Sequence, residues 1–194
     1  MYVNYLKRIM DFIISVVSLV LLSPIFLLLC ILVKASSPGP IFFKQERMGR
    51  NGFPFTLYKF RSMSCNTPDN CPTHLLENPD SYITNIGKFL RKTSLDELPQ
   101  LFNILKGDMS LVGPRPSLMN QTDLNTLRVE NNSIKLLPGL TGLAQISGRD
   151  ELAISVKAGL DGEYARNISF MNDVKIVLGT IGIVLKHNGI KEGK

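Results

Sequence analysis

The chain has 194 residues, a formal net charge of +6 at pH 7 and 44% hydrophobic residues. This length suits one domain with a proper core beside a short extra segment, rather than two domains. The positive charge fits a protein that lies on anionic lipid or handles phosphorylated substrates. Nucleic acid is disfavoured as a partner, because no Lys or Arg block exceeds two residues and no nucleic-acid-binding signature occurs. The odd number of cysteines excludes a disulfide framework and fits a reducing cytoplasm.

Residues 12–33 form an apolar run that Ser23 and Pro24 interrupt and that Lys or Arg flanks on both sides. At about 1.5 Å per residue, an unbroken helix of this length would just cross the roughly 30 Å hydrocarbon core of a bilayer. Pro24 removes a backbone donor, and the Ser23 hydroxyl can satisfy a freed carbonyl, so the pattern predicts a bend. Two readings stay open: a spanning helix, and a re-entrant helix with both basic flanks at the cytoplasmic face.

The rest of the chain predicts a mainly helical α+β domain with a small β-hairpin. Strand formers at residues 41–43 and 53–60 flank Asn51 and Gly52, a pair that favours tight hairpin turns. Residues 62–81 are typical of a long irregular loop, which we interpret as a lid that closes over a bound substrate. Helical patterning resumes at Tyr82, and the remaining predicted helices cover residues 95–105, 121–131 and 174–185. The last of these fits a core helix or one at a membrane interface, with the core favoured.

Two adjacent carboxylates, Asp96 and Glu97, follow the cations Arg91 and Lys92 at the predicted start of a helix. A structural account is available, because Ser94 and Glu97 have the spacing of a capping box and acidic residues favour a first helical turn. That account leaves the two cations unexplained. Cations beside a helix start attract phosphate, and Mg²⁺ binds one or two carboxylates together with phosphate oxygens. An aspartate in such a site could act as a nucleophile toward phosphorus.

Two further segments could bind phosphate or a nucleotide. Prolines on both sides of Arg115, in the Gly-Pro-Arg-Pro motif at residues 113–116, restrict its direction and suit a phosphate contact. Residues 138–149 contain three glycines that permit close backbone approach, together with Gln145 and Arg149. A rigid surface loop with a solvated arginine is the alternative for the first segment, and glycine-rich loops like the second are common in proteins without a nucleotide site. Lys59 lies on the second predicted strand, where a solvated strand face is the simpler explanation.

In combination these segments closely resemble the bacterial sugar transferase family, the monotopic phosphoglycosyl transferases that begin glycan assembly on polyprenyl phosphate. The resemblance covers nearly the whole chain, from the Ser-Pro break through residues 58–63, 91–101, 106–110 and 113–116 to residues 138–149. It implies a minimal catalytic-core form. It also favours the re-entrant reading, with an N-terminal membrane helix hairpin over residues 1–36 and a compact cytoplasmic, membrane-associated catalytic domain over residues 37–194.

The resemblance implies a reaction and a set of roles. In the family, the aspartate that matches Asp96 attacks the β-phosphate of a UDP-sugar, releases UMP and leaves a phosphosugar on the enzyme for polyprenyl phosphate to accept. Glu97 would act beside it and hold Mg²⁺. The phosphate-binding candidates are Lys59, Arg91 and Arg115, and the nucleotide-sugar candidates are Gln145 and Arg149. Asp161 and Tyr164 match a recurring downstream pattern that carries no assigned role.

Partners and location follow from the same resemblance. The expected partners are a UDP-sugar, polyprenyl (undecaprenyl) phosphate and membrane lipid, at the cytoplasmic face of the inner membrane, in polysaccharide pathways such as capsule or O-antigen assembly. The sequence is also compatible with a homo-oligomer. Leu143, and the acidic pair after Arg149, resemble members that take N-acetylated 6-deoxy sugars, with hexose-1-phosphate transfer as the other reading. The alternative function is a non-catalytic, membrane-anchored partner of a glycan assembly complex that binds phosphorylated ligands.

Overall fold

The computed structural model of the protein describes residues 2–67, 81–148 and 152–186. Across these ranges the chain is mainly helical and carries a small antiparallel β-hairpin, as expected from the sequence. The helices are α1 (Lys7–Leu21), α2 (Ser23–Ser36), α3 (Asn85–Thr93), α4 (Gln100–Lys106), α5 (Thr122–Glu130), α6 (Leu143–Ser147), α7 (Ile154–Arg166) and α8 (Phe170–Lys186). The strands are β1 (Phe42–Met48), β2 (Pro54–Phe60), β3 (Ser110–Val112) and β4 (Gly139–Thr141).

The apolar run is broken at the expected place. Helices α1 and α2 meet at a bend of 66°. Pro24 has no N–H for the carbonyl of Val20, four residues earlier, and the Ser23 hydroxyl donates to that carbonyl at 2.8 Å instead. Within the described residues, no single helix is long and apolar enough to cross a bilayer, whereas the bent pair together meets that length and composition.

Each helix of the bent pair has one buried face and one exposed apolar face. The buried face of α2 packs Leu29 and Val33 against Phe60 of β2 and Leu90 of α3. Phe26, just after the bend, contacts the rings of Phe60 and Phe102 at centroid distances of 4.8 and 5.7 Å. The exposed side chains of the pair include Phe12, Val17, Val20, Leu21, Leu27 and Ile31. An exposed apolar surface of this kind marks an interaction site for lipid or protein.

The predicted hairpin is confirmed, with β1 antiparallel to β2 and Phe42 paired with Phe60. Asn51 and Gly52 both adopt positive φ in the connecting turn, which these two residue types tolerate. Alternation along β2 directs Leu57 into a core with Leu101, Ile104 and Met109. The hairpin therefore packs on α4 through one face.

The capping-box prediction for Ser94 and Glu97 is wrong. Ser94 ends α3 in the left-handed conformation, at φ 57°, and its side chain makes no capping hydrogen bond. A 3₁₀ turn, Leu95–Glu97, follows, and α4 begins only at Gln100. Pro99 explains the interruption, because it has no N–H to bond to the carbonyl of Leu95 and continue an α-helix. The two carboxylates thus lie on a short turn, so a helix dipole contributes little to the site.

The glycines of residues 138–149 allow two backbone segments to pass close together. Strand β4 runs parallel to β3, and the Gly113 N–H donates to the Thr141 carbonyl at 2.9 Å. A Cβ atom on Gly139 would lie 2.1 Å from the Gly113 nitrogen, and one on Gly142 would lie 2.1 Å from the Gly113 carbonyl oxygen. The sequence suggested that these glycines allow close approach of a ligand. In the structure, the loop that carries Arg115 lies against Gly139 and Gly142 instead.

Gly142→Ala is expected to destabilise the fold by about 2 kcal/mol or more, because the new methyl group meets a backbone oxygen that has no rotamer to change. Gly159→Ala is the matched control, since nothing lies within 4 Å of its Cβ position and alanine is the better helix former. Thermal unfolding should show a lower Tm for Gly142→Ala and an equal or higher Tm for Gly159→Ala. Equal Tm values for both variants would contradict the packing described.

The C-terminal helices close the third core around Val112, Tyr164 and Ile176. The core assignment for the final helix is only half right. Ile176 of α8 is buried, whereas Leu178 and Ile181 on the same helix are more than half exposed. Helix α8 therefore covers the core with one face and presents a second apolar face outward.

Asp161 and Tyr164, which the family resemblance left without a role, make internal contacts. Arg128 of α5 donates through Nε and Nη2 to one oxygen of Asp161 on α7, at 2.9 and 2.7 Å, and both side chains are buried. The Tyr164 hydroxyl donates to Asp173 at 2.7 Å. Asp173 also accepts from Lys7 at 2.6 Å, which fastens the start of α1 to α8. These contacts tie the C-terminal helices to the rest of the fold.

Candidate active site

Three distant parts of the chain converge on the two adjacent carboxylates. Strand β2 supplies Lys59, the 3₁₀ turn supplies Asp96 and Glu97, and the loop after β3 supplies Arg115. The turn is held by its apolar flanks, because Leu95 and Leu98 pack on the core that contains Leu29 and Val33 of α2. The carboxylates are thereby fixed between the bent helix pair and the hairpin.

The ion pairs centre on Glu97. Its Oε1 accepts from Lys59 Nζ at 2.8 Å and from Arg115 Nη2 at 2.7 Å, and Lys59 Nζ lies 3.9 Å from Asp96 Oδ2. Asp96 is only 8% exposed. Glu97 is therefore matched by two cations, while Asp96 shares one of them at longer range.

Their surroundings shift the pKa values of the two carboxyl groups in opposite directions. Burial raises the pKa of Asp96 above its usual range, and the charge of Lys59 only partly offsets this effect. Burial alone would also raise the pKa of Glu97, but Arg115 and Lys59 hold it well below its usual range. Opposed shifts in neighbouring titratable groups are typical of sites in which the two groups have different roles.

Two further arginines contribute to the electrostatics of the Asp96–Glu97 cluster. Arg91, in the last turn of α3, lowers the pKa of Asp96 through its charge. Arg47 of β1 donates to the Pro116 carbonyl at 3.3 Å and to Gln45 Oε1 at 2.5 Å. Burial and the charge of Arg115 lower the pKa of Arg47 to about 10. Sequence reasoning assigned Arg47 no part in this site, because its position on β1 opposite the Arg115 loop is visible only in the fold.

The carboxylates provide oxygen ligands, which Mg²⁺ prefers. Among the described residues, no group of three or more His, Cys, Asp or Glu side chains is placed to hold a metal ion. A cation at Asp96 and Glu97 would therefore need further oxygen ligands other than a third carboxylate from those residues, and water or a bound phosphate can supply them. That composition fits magnesium, which usually binds through one or two carboxylates plus substrate phosphates.

The nucleotide-sugar candidates are only partly placed. Gln145 of α6 is buried, and neither its amide nitrogen nor its amide oxygen has a hydrogen-bond partner within the described ranges. Buried amides without partners are rare, so Gln145 has the properties of a ligand-binding residue. No hydrogen bond within those ranges joins Gln145 to Asp96 or Glu97. Arg149 and residues 68–80, which include most of the predicted lid, lie outside the described residues.

The paired carboxylates and the cations around them lie beside the bent apolar helix pair. The chain matches the family model for bacterial sugar transferases over residues 2–187. It belongs to the bacterial sugar transferase family.

Several curated relatives are similar over most of this chain. An uncharacterized sugar transferase EpsL of Bacillus subtilis is 43% identical, covering 96% of this chain and 91% of the relative. The UDP-glucose:undecaprenyl-phosphate glucose-1-phosphate transferase of Escherichia coli is 41% identical, covering 91% of this chain and 39% of the relative. The undecaprenyl-phosphate galactose phosphotransferase of Salmonella typhimurium is 38% identical, covering 96% of this chain and 42% of the relative. The chain therefore spans about two fifths of the longer relatives and nearly all of the shorter one.

Proposed function

We propose that the protein transfers a sugar-1-phosphate from a UDP-sugar to undecaprenyl phosphate. The observation that carries the proposal is the ion-pair cluster in which Lys59 and Arg115 surround the Asp96–Glu97 pair. Relatives named as UDP-glucose or galactose transferases to undecaprenyl phosphate support the substrate class. A non-catalytic role in a glycan assembly complex would not require two carboxylates with opposed pKa shifts.

The proposed chemistry has two displacements at phosphorus. The Asp96 carboxylate forms a P–O bond to the β-phosphorus, and the bond from that phosphorus to the bridging oxygen breaks, so UMP leaves with the electron pair. An oxygen of undecaprenyl phosphate then attacks the same phosphorus, and Asp96 leaves as the carboxylate. Both half-reactions conserve the sugar-1-phosphate, and neither consumes another reagent. Covalent catalysis of this type divides one difficult step into two easier ones.

The surrounding residues have distinct proposed roles. Glu97 would hold Mg²⁺, which when bound supplies positive charge that screens the phosphates and the carboxylates from one another. Lys59, Arg91 and Arg115 would bind the phosphate oxygens, Arg115 with the bidentate geometry of a guanidinium. Gln145 and Arg149 are proposed to contact the nucleotide or the sugar. Burial of Asp96 keeps water from competing with the acceptor for the covalent intermediate.

The bent helix pair is proposed to be a re-entrant hairpin at the cytoplasmic face of the inner membrane. Its exposed apolar side chains and its basic flanks at both ends support this placement. A soluble nucleotide and a lipid phosphate can meet only at the headgroup level. The bend would set the depth of the site at that level.

Single cysteines placed at Tyr5 and at Ala35, in a background from which the three native cysteines have been removed, test this topology. Both positions are exposed. We expect a membrane-impermeant thiol reagent to label both from the cytoplasmic side of inverted vesicles and neither in intact cells. Labelling of the two positions from opposite sides would instead establish a spanning helix.

The donor is tested by screening the purified protein against a panel of UDP-sugars for UMP release in the presence of Mg²⁺ and undecaprenyl phosphate. An N-acetylated 6-deoxy sugar is the proposed donor, based on Leu143 and the residues after Arg149. Glucose and galactose are the essential competitors in the panel, since relatives are named for those sugars. Binding of UDP-sugars without UMP release from any of them would favour the non-catalytic alternative.

The first half-reaction is expected to slow as the pH falls, because only the ionised form of Asp96 is nucleophilic. Burial raises the pKa of Asp96, so the inflection should lie above the value of about 3.9 for an ordinary aspartate. Lys59→Met removes a charge that lowers this pKa and should move the inflection to higher pH. Single-turnover UMP release without acceptor measures it, with exposed Lys88→Met as the control. An inflection unchanged by Lys59→Met would contradict the assignment.

A further inference from the structure

A second cluster of positive charge lies in a cavity of about 100 Å³ that shares no residue with the Asp96–Glu97 cluster. Its walls come from the start of α1, the hairpin turn, the first residue of β3 and the segment that begins at the 3₁₀ turn Ser133–Lys135. The charged residues that line it, together with Ser110, are Lys7, Arg8, Asp11, Arg50 and Lys135; Tyr164 also lines it, and its hydroxyl donates to Asp173. We refer to this feature as the α1 cavity.

The α1 cavity carries an excess of positive charge. Lys7 is neutralised by Asp173, at 2.6 Å. Arg8, Arg50 and Lys135 form no ion pair within the part of the chain that the structure describes. Arg8 donates to three backbone carbonyls, those of Ile104, Leu105 and Met109. Arg50 donates to the carbonyl of Lys135. Opposite these three cations the lining holds a single carboxylate.

That carboxylate belongs to Asp11, which is already engaged with the protein. Its Oδ1 accepts the Leu111 N–H at 3.0 Å, and the residue is 3% exposed. The hydrogen bond fastens α1 to β3. The net charge of the lining therefore remains positive, which favours an anionic occupant.

Ser110 provides an independent observation that points to a ligand. The residue is 1% exposed, it lines the α1 cavity, and its hydroxyl has no hydrogen-bond partner within the described ranges. Buried hydroxyl groups are nearly always hydrogen-bonded, because burial without a partner is costly. A hydroxyl donor at the wall and cations around it match the oxygens of a phosphate group.

We propose that the α1 cavity binds a phosphate group, either on a lipid headgroup or as free phosphate. Lys7 and Arg8 line it and immediately precede the apolar part of α1, so the cavity adjoins the segment proposed to enter the bilayer. The proposal concerns a second anion site and does not depend on the transferase function. Occupation of the cavity would link α1, β3 and the segment after α5 through one ligand.

The test measures binding of three probes to the full chain in neutral detergent, by calorimetry and by Tm. The probes are inorganic phosphate, a short-chain phosphatidic acid and the matching diacylglycerol. Arg50→Ala/Lys135→Ala removes two cavity cations, and both side chains are exposed, so the fold should be retained. Lys88→Ala/Lys175→Ala removes the same charge at exposed positions outside the cavity. Phosphate binding near Asp96 is common to all variants and cancels in the comparison.

We expect at least a tenfold loss of affinity for the phosphate-bearing probes in the cavity variant and little change in the control. Ser110→Ala should also weaken binding without lowering the Tm of the ligand-free protein, because its hydroxyl has no partner to lose. Tighter binding of phosphatidic acid than of inorganic phosphate identifies a lipid headgroup, and equal affinities identify free phosphate. Equal losses in the cavity and control variants, or equal binding of the diacylglycerol, would overturn the proposal. UMP release by the same variants reports on the transferase separately.

Discussion

Asp96→Asn is expected to lower UMP release from the UDP-sugar by about a thousandfold or more, because an amide cannot form the acyl phosphate. Glu97→Gln should also slow the reaction, but through weaker binding of Mg²⁺ and the loss of charge-assisted hydrogen bonds to Lys59 and Arg115. The intact mass of the protein, measured after exposure to UDP-sugar without acceptor, separates the two roles. The wild type should gain the mass of one phosphosugar, Glu97→Gln should gain it slowly, and Asp96→Asn should not gain it.

The control for this experiment is the stability of the variant. Asparagine has nearly the same shape as aspartate, so the Tm of Asp96→Asn should stay close to that of the wild type. Full turnover by Asp96→Asn, or the same mass gain in that variant, would show that the covalent mechanism is wrong. Loss of the adduct in Glu97→Gln alone would instead transfer the nucleophilic role to Glu97.

Arg128→Met is expected to destabilise the fold by about 3–5 kcal/mol, because it leaves the buried carboxylate of Asp161 without its cation. For a chain of this size, that loss corresponds to a fall in Tm of about 10 °C. The effect should be on stability, since the Arg128–Asp161 pair joins α5 to α7 and contacts none of the proposed phosphate-binding residues. Thermal unfolding with and without UDP-sugar measures it.

A double variant and a surface control make this expectation specific. Arg128→Met/Asp161→Leu removes both charges and should be more stable than Arg128→Met alone, because no buried charge remains unpaired. Arg166→Met removes an exposed arginine at the end of α7 and should change the Tm little. Equal Tm values for the single and double variants would show that Asp161 is not the group left uncompensated.

Part of this fold could be predicted from the sequence, because it depends on interactions between residues that are close together in the chain. The break at Ser23 and Pro24 follows from a missing N–H and a nearby hydroxyl, and both act within four residues. The turn at Asn51 and Gly52 follows from residue types that accept positive φ. Each of these features depends on neighbours in the chain, so one sequence was sufficient to predict it.

The features that sequence reasoning missed depend on distant parts of the chain. The capping box was a reasonable interpretation of Ser94 and Glu97, but Ser94 ends α3 in the left-handed conformation, and the Glu97 carboxylate pairs with two cations from elsewhere in the chain. Arg47 left no local pattern, and its contact with Pro116 crosses 69 positions. Spacing alone could nominate Asp96 and Glu97 but could not say which cations surround them. The flanking prolines nominate Arg115, the family resemblance nominates Lys59, and the structure brings both to Glu97.

Phe26 lies just after the bend and packs against the strand that carries Lys59. Its ring packs on Phe60, the residue after Lys59, and on Phe102 of α4. With the bend in the bilayer as proposed, a change in membrane thickness would push on these rings and thus on the strand that presents Lys59 to the carboxylates. Under the proposed transferase function, the rate would then depend on the elastic state of the lipid environment, through hydrophobic mismatch.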